Sequence, residues 1–201
     1  MHTGKSLKTT WALTAPADAA AGTYRVVVTD SYRWGQHKLV TDSVTLTVQV
    51  ASPPPSGTTP VSDLTWTSAN SFWGPIEKDM SNGESAAGDG GPITIGGTVY
   101  PKGLGVHAPS TILYYLGGTC SALTTDVGLD DEVGSAGSVI FQVYADTTKV
   151  ADSGVVTGDS AAVTLHADLT GAMWLRLSVD QNADTDHDHA DWAGPQLTCG
   201  A

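Results

Sequence analysis

Positive charge is scarce in this 201-residue chain: nine Lys and Arg stand against 21 Asp and Glu, a formal net charge of -12 at pH 7. Such a balance repels a phosphate backbone and an anionic lipid surface alike, which argues against nucleic acid and membrane as partners. No apolar run approaches the roughly 18 to 20 residues that span a bilayer as a helix. Met1-His2-Thr3-Gly4 has none of the charged, apolar and small-residue succession of a secretory signal, and we read the chain as an excerpt of a longer polypeptide. Cysteine is limited to Cys120 and Cys199. A pair so far apart is compatible with one staple between elements and equally with two buried thiols; a bridge adds about 4 kcal/mol in the chain-entropy model. The chain has no Gly-x-Ser-x-Gly elbow, no P-loop and no His-Glu-x-x-His. A glycosidase needs two carboxylates across a cleft, and among 21 acidic residues a pair on paper carries no weight, so no catalytic role is expected.

Helical periodicity is lacking too. Apolar residues recur in short alternating or β-branched runs punctuated by Gly and Asp, which predicts an all-β chain. Upstream, Thr9 to Leu13, Gly22 to Thr29 and Ser43 to Val50 predict three strands, with turns at Ala15-Pro16-Ala17-Asp18 and Trp34-Gly35-Gln36. Three strands make only half of a sandwich, so residues 1–50 are read as a truncated β segment. Residues 51–60, Ala-Ser-Pro-Pro-Pro-Ser-Gly-Thr-Thr-Pro, have a linker's composition, since proline fixes φ and removes donors. Residues 61–201 then form one complete domain. Its predicted strands are Ile93 to Ile95, Thr98 to Tyr100, Thr111 to Leu116, Leu123 to Leu129, Ser138 to Tyr144, Ala162 to Leu169, Met173 to Val179 and Gln196 to Cys199. Gly96-Gly97 suits a two-residue hairpin turn. Long excursions at Ser68 to Gly91 and Asp180 to Ala193 suggest a sandwich or jelly roll whose loops carry function.

From Asp184 to Trp192 the chain reads Asp-Thr-Asp-His-Asp-His-Ala-Asp-Trp: four carboxylates, two imidazoles and an indole in a charge-poor sequence. The density suggests a ligand or metal site; the plain alternative is a solvated acidic loop. Asp184, Asp186 and Asp188 alternate as hard oxygen donors for calcium, without the glycine and terminal glutamate of an EF-hand. For zinc, His187 and His189 lack a third separated ligand, which argues against it. Asp130, Asp131 and Glu132 form a second acidic cluster suited to turn formation.

Phe72-Trp73-Gly74-Pro75-Ile76-Glu77-Lys78-Asp79, Tyr100-Pro101-Lys102-Gly103-Leu104-Gly105-Val106-His107-Ala108, Val127 to Val133, Phe141-Gln142-Val143-Tyr144-Ala145-Asp146 and Asp188-His189-Ala190-Asp191-Trp192 together resemble the signatures of the NPCBM family of carbohydrate-binding modules. They run in the family's order across nearly all of Val61 to Ala201. Trp11 to Asp18 with Ala21-Gly22-Thr23-Tyr24 resembles the end of the Ig-like domain that accompanies such modules in bacterial alpha-galactosidases. The resemblance implies a galactose-binding-like β-sandwich, non-catalytic, attached to a secreted, extracellular glycoside hydrolase and directed to galactose-containing glycans, with calcium common in such sandwiches. A structural spacer that orients a neighbouring catalytic domain is the alternative.

Sugar recognition needs an aromatic plate against the apolar face of a pyranose, and carboxylates and imidazoles to match its hydroxyls. Trp73, Glu77, His107, Asp188, His189, Asp191 and Trp192 are the residues of that type in the motifs. Each tryptophan of this set has core packing as its alternative role, and His107 that of a hydrogen-bonded structural histidine. Trp66, Phe141 and Trp174 lie in strand-like runs and are expected in the core; Arg176 is expected to face solvent or a carboxylate.

Overall fold

The computed structural model describes residues 10, 12–15, 19–34 and 38–200. The chain divides into two compact units, Met1–Ala51 and Ser52–Ala201. The first holds an antiparallel hairpin of β1 (Gly22–Trp34) and β2 (Lys38–Val50), paired from Gly22 opposite Val50 to Trp34 opposite Lys38. Strict alternation makes it two-faced. Tyr24, Val26 and Val28 stand opposite Val48, Leu46 and Val44 on one face, while Thr29–Ser43 and Ser31–Thr41 hydroxyl pairs, 3.0 and 3.1 Å apart, mark the other. The predicted runs 22–29 and 43–50 are thus parts of longer strands. Of the third, Thr10, Ala12 and Leu13 carry no strand, and Thr9 and Trp11 lie outside the described residues. So do Pro16 to Asp18 and Gly35 to Gln36 of the two predicted turns.

The described residues of the second unit form a β-sandwich with a separate two-stranded hairpin of β6 and β7; the strands are β3 (Thr58–Pro60), β4 (Ser68–Ser71), β5 (Glu77–Lys78), β6 (Thr94–Ile95), β7 (Thr98–Val99), β8 (Gly103–His107), β9 (Ser110–Tyr115), β10 (Cys120–Leu129), β11 (Ser138–Ala145), β12 (Thr148–Thr157), β13 (Val163–Asp168), β14 (Trp174–Gln181) and β15 (His189–Cys199). One sheet has the order β13-β10-β15-β8-β5, with β3 also on β15, and the other β12-β11-β14-β9-β4. Inward positions alternate with outward ones along β9 and β11, and their apolar side chains meet in one core that includes Leu104, Val106, Ile112, Leu123, Phe141, Leu175, Leu177, Trp192 and Leu197. The Cys120–Cys199 disulfide closes the edge where β10 pairs with β15.

Four departures from the sequence reading have physical causes. The end of the proline-rich stretch is not free: Thr58–Pro60 adds a strand to β15, the Gly57 N–H donates to the Gly200 carbonyl at 3.3 Å, and the Cys199 N–H donates to the Gly57 carbonyl at 2.9 Å. β8 was hidden by its glycines, which the packing demands: a Cβ on Gly103 would stand 2.5 Å from the Trp192 carbonyl oxygen, and one on Gly105 would stand 2.4 Å from that of Met80. The polar, outer β12 was hidden by its few apolar residues. β15, expected to begin at Gln196, begins at His189. Pro195 is accommodated where the β10–β15 register shifts between Thr124 and Asp126, a bulge that needs no N–H.

The Gly96-Gly97 turn forms as expected, both residues at positive φ, between Ile95 and Thr98. Its free N–H groups are taken by Asp131, whose two carboxylate oxygens accept from Gly96 and Gly97 at 2.7 and 2.8 Å, while Asp130 accepts from Thr94 and Glu132 at 2.8 and 3.0 Å. The Asp130-Asp131-Glu132 cluster is therefore largely scaffold. Phe141 is in the core as expected, and Trp66 packs against it beneath Lys78. Trp174 is not: it lies half-buried on the outward face of β14, edge-on to Tyr115 at 5.0 Å, and Arg176 stacks over Tyr144 at 3.7 Å.

Candidate functional site

Where β8 ends and β15 begins, antiparallel pairing sets His107 directly opposite His189, with ring centroids 5.3 Å apart. Beside them the chain after β4 and the loop before β15 border an open cleft of about 410 Å³, lined by Phe72, Trp73, Glu84, His107, Thr185, Asp186 and His187. Phe72 and Trp73 are 54% and 53% exposed, an unusual state for adjacent aromatic rings, and the Phe72 ring lies 5.9 Å from His107.

Local hydrogen bonds explain why the aromatic pair is held out. The Ser71 hydroxyl accepts the His107 N–H at 3.0 Å, and the Phe72 N–H donates to the His107 carbonyl at 3.2 Å, tying the strand end to β8. Buried Asn82 donates through Nδ2 to the carbonyls of Trp73 and Pro75 at 3.3 and 3.0 Å. Gly74, at φ 64°, lets the Glu84 backbone approach where a Cβ would stand 2.8 Å from its Cα. Glu84 and His187 both take positive φ, 65° and 62°, at a cost of about 1–2 kcal/mol each. Strain of this kind collects where side-chain placement matters.

The charges at the floor are arranged unequally. His107 is buried, and burial holds its pKa below the usual imidazole value, against the opposing effect of its bond to Ala108. Its Nδ1 faces the Ala108 carbonyl at 3.0 Å and so carries the proton, leaving Nε2 with the lone pair. His189 has a carboxylate on each side: Glu132 Oε1 is 2.7 Å from Nδ1 and Glu84 Oε1 is 2.7 Å from Nε2. Beneath them, burial pushes the Asp188 carboxyl up to about 6; the Ser138 N–H opposes this, and the charges of Asp184 and Asp186 add to it. Asp191, wholly buried against Asp130, is held well above the usual carboxylate range, first by burial and then by that neighbour. Neither Asp191 oxygen has an N–H or O–H donor from another group.

Residues 57–198 match the model of the NPCBM/NEW2 domain. The chain belongs to that family. Over its NPCBM domain it is similar to the CBM51 module of Clostridium perfringens GH95, solved in complex with methyl-galactose, at 35% identity and a TM-score of 0.64; the likeness covers 70% of this chain and 99% of that one. A C. perfringens ZmpB structure comprising CBM51-2, in complex with GlcNAc, and INT domains is 28% identical with a TM-score of 0.63, covering 89% of this chain and 38% of that one. A Renibacterium salmoninarum protein named "Putative endo-alpha-N-acetylgalactosaminidase" is 40% identical over 202 residues, 98% of this chain. The chain spans 13% of that relative's length. The NPCBM domain is a carbohydrate-binding module by fold, with the galactose-binding-like β-sandwich, and resembles modules attached to glycoside hydrolases.

The NPCBM fold brings together only some of the residues singled out in the sequence. Trp73 and His107 line the cleft, and His189 stands directly beside His107. Glu77 is buried on β5, where it accepts the Gly88 N–H at 2.9 Å and shapes the neighbouring loop. Asp188 is buried and accepts the Ser138 N–H at 2.9 Å; Asp191 lies against Asp130. Trp192 offers no face to a ligand: it is fully buried, edge-on to Phe141 at 5.1 Å. The carboxylates of Asp184, Asp186 and Asp188 do not form a converging donor set among the described residues: Asp188 turns inward, and Asp184 accepts the N–H of Asp186 in its own loop at 3.0 Å. Among the described residues, the three or more His, Cys, Asp or Glu donors that converge are instead Glu84, His107 and His189. The sequence reading missed Phe72, Glu84 and Thr185 as cleft residues, and weighed Asp186 and His187 only as metal ligands. Phe72 adjoins Trp73, and 185–187 lie inside the polar stretch, but nothing local marked Glu84.

Proposed function

We propose that this cleft binds the exposed end of a galactose-containing glycan. In the full-length protein the module then holds an attached, secreted glycosidase domain near its substrate. The observation that carries the reading is the pair of exposed rings, Phe72 and Trp73, across one open cleft from Glu84, His107, Asp186 and His187. An aromatic face covers the C–H side of a pyranose, while carboxylates accept from and imidazoles exchange hydrogen bonds with its hydroxyls. The relative solved with methyl-galactose supports galactose as the first sugar to test, and the one solved with GlcNAc supports including that sugar beside it. The disulfide supports an extracellular setting. We take the β1–β2 hairpin, apolar on one face, as part of an Ig-like neighbour.

Sugar hydroxyls are well solvated by water, so a single site binds weakly, with Kd in the range of roughly tens of micromolar to millimolar, about 4 to 6 kcal/mol. Weak binding suffices for a module that raises the local substrate concentration of an attached enzyme. The test is a glycan array followed by calorimetry with methyl-galactoside and GlcNAc. Selective galactose binding that is lost in Trp73→Ala, with the fold intact by circular dichroism, supports the reading. A blank array from folded protein replaces it with the spacer.

A further inference from the structure

We propose that Glu84, His107 and His189 form a binding site for a borderline divalent cation of the zinc class at the floor of the cleft. The site does not rest on the sugar reading, since a cation is detected with no glycan present. Three side chains from a loop, β8 and β15 bring donor atoms within 4.8 Å of one another. Sequence spacing gave no sign of this: no third separated ligand stood out beside His187 and His189, whereas cross-strand register sets His107 of β8 directly opposite His189.

Hydrogen bonding around the imidazoles is that of metal ligands. Histidines that bind zinc donate their other ring N–H to a carboxylate or a backbone carbonyl, which fixes the tautomer and aims the free lone pair. His107 meets that pattern through the Ala108 carbonyl, and His189 through Glu132, at 3.0 and 2.7 Å. With Nδ1 of His189 protonated toward Glu132, its Nε2 lone pair faces the Glu84 carboxylate at 2.7 Å, an acceptor against an acceptor. A cation between them resolves the conflict, as does a second proton on the ring.

Two imidazole nitrogens and one carboxylate suit zinc, nickel or copper and are poor donors for calcium or magnesium. Zinc bonds of about 2.0–2.1 Å in a tetrahedron place donors about 3.3 Å apart, so Glu84 has to retreat by several tenths of an ångström. Its side chain, 49% exposed on an irregular loop, is free to do so, and that exposed side leaves the fourth position open to water or a sugar hydroxyl.

The experiment is calorimetric titration of the full chain with Zn²⁺ and, separately, Ca²⁺, followed by the absorption spectrum with Co²⁺ as the probe. One Zn²⁺ per chain is expected, undiminished by excess Ca²⁺, with visible Co²⁺ bands of low-symmetry nitrogen and oxygen coordination. Glu84→Gln is expected to lose at least about tenfold in zinc affinity, and Glu132→Gln, which removes only the support of His189, about tenfold. His166→Ala, an exposed histidine on β13, is expected to leave it unchanged. Absence of saturable zinc binding overturns the site and leaves a proton shared between His189 and Glu84. So does binding that survives both Glu84→Gln and His107→Asn, or that disappears with His166→Ala. Buried His107→Asn can fail to fold; loop-borne Glu84→Gln, checked by circular dichroism, then decides.

Discussion

Trp73 and Trp192 belong to the two aromatic motifs nearest the cleft, yet they do opposite work. Trp73 stands on an irregular loop, half in solvent, held there by Asn82 and Gly74. Trp192 sits four residues into a central strand, with its ring against Phe141 and no solvent exposure. The difference lies in alternation: from His189 onward each side chain is committed to a face of the sheet, and the face Trp192 occupies is the core. Chemistry-bearing residue types thus divide into those that meet a ligand and those that hold the first set in place.

The contrast can be broken or sharpened in three ways. The largest effect is expected from Trp192→Ala, which leaves a cavity between the sheets and should cost about 3–5 kcal/mol of stability in denaturant melts. A cost below about 1 kcal/mol is incompatible with a core role. Trp73→Ala should instead leave stability within about 0.5 kcal/mol of the parent while weakening galactoside binding at least about tenfold, read by calorimetry. The smallest effect concerns Asp188, measured in chelator to exclude bound metal. An acid whose folded-state pKa is raised favours folding only while protonated, so its contribution is present below about pH 4 and lost as pH rises through about 6. Asp188→Asn should flatten the pH dependence of the melting midpoint across that window. Asp191, raised for the same reason, contributes a slope of the same sign.

The all-β class, the sandwich and the functional end of the molecule were legible because apolar alternation and glycine turns are local signals. Ser138 to Tyr144 and Thr111 to Leu116 coincide closely with β11 and β9. As a sugar site the cleft was legible only at Trp73 and His107, with Asp186 singled out for a metal instead. Glu77, Asp188 and Asp191 have the right chemistry but are buried as supports, a distinction set by strand register rather than by residue type. Glu84 was illegible because only the backbone approach at Gly74 and the contact with His189 bring it to the site. Calcium was read from spacing at 184–188, but alternation in a loop does not by itself make carboxylates converge, and among the described residues these three do not form a converging donor set.

One strand fixes where load and ligand meet the module. β15 begins at the cleft, at His189, and ends at Cys199 beside Gly57, so the path into the sandwich and the path reaching Gly200 lie side by side. At about 3.3 Å per residue this separates the cleft from the point of attachment by roughly 30 Å. A pull along the chain is met at Gly57 and Cys199 by the short β3 pairing and the Cys120–Cys199 bond, without passing through the loops that shape the cleft. On the proposed reading, the module is an arm that grips at its far end while tension is borne at its root.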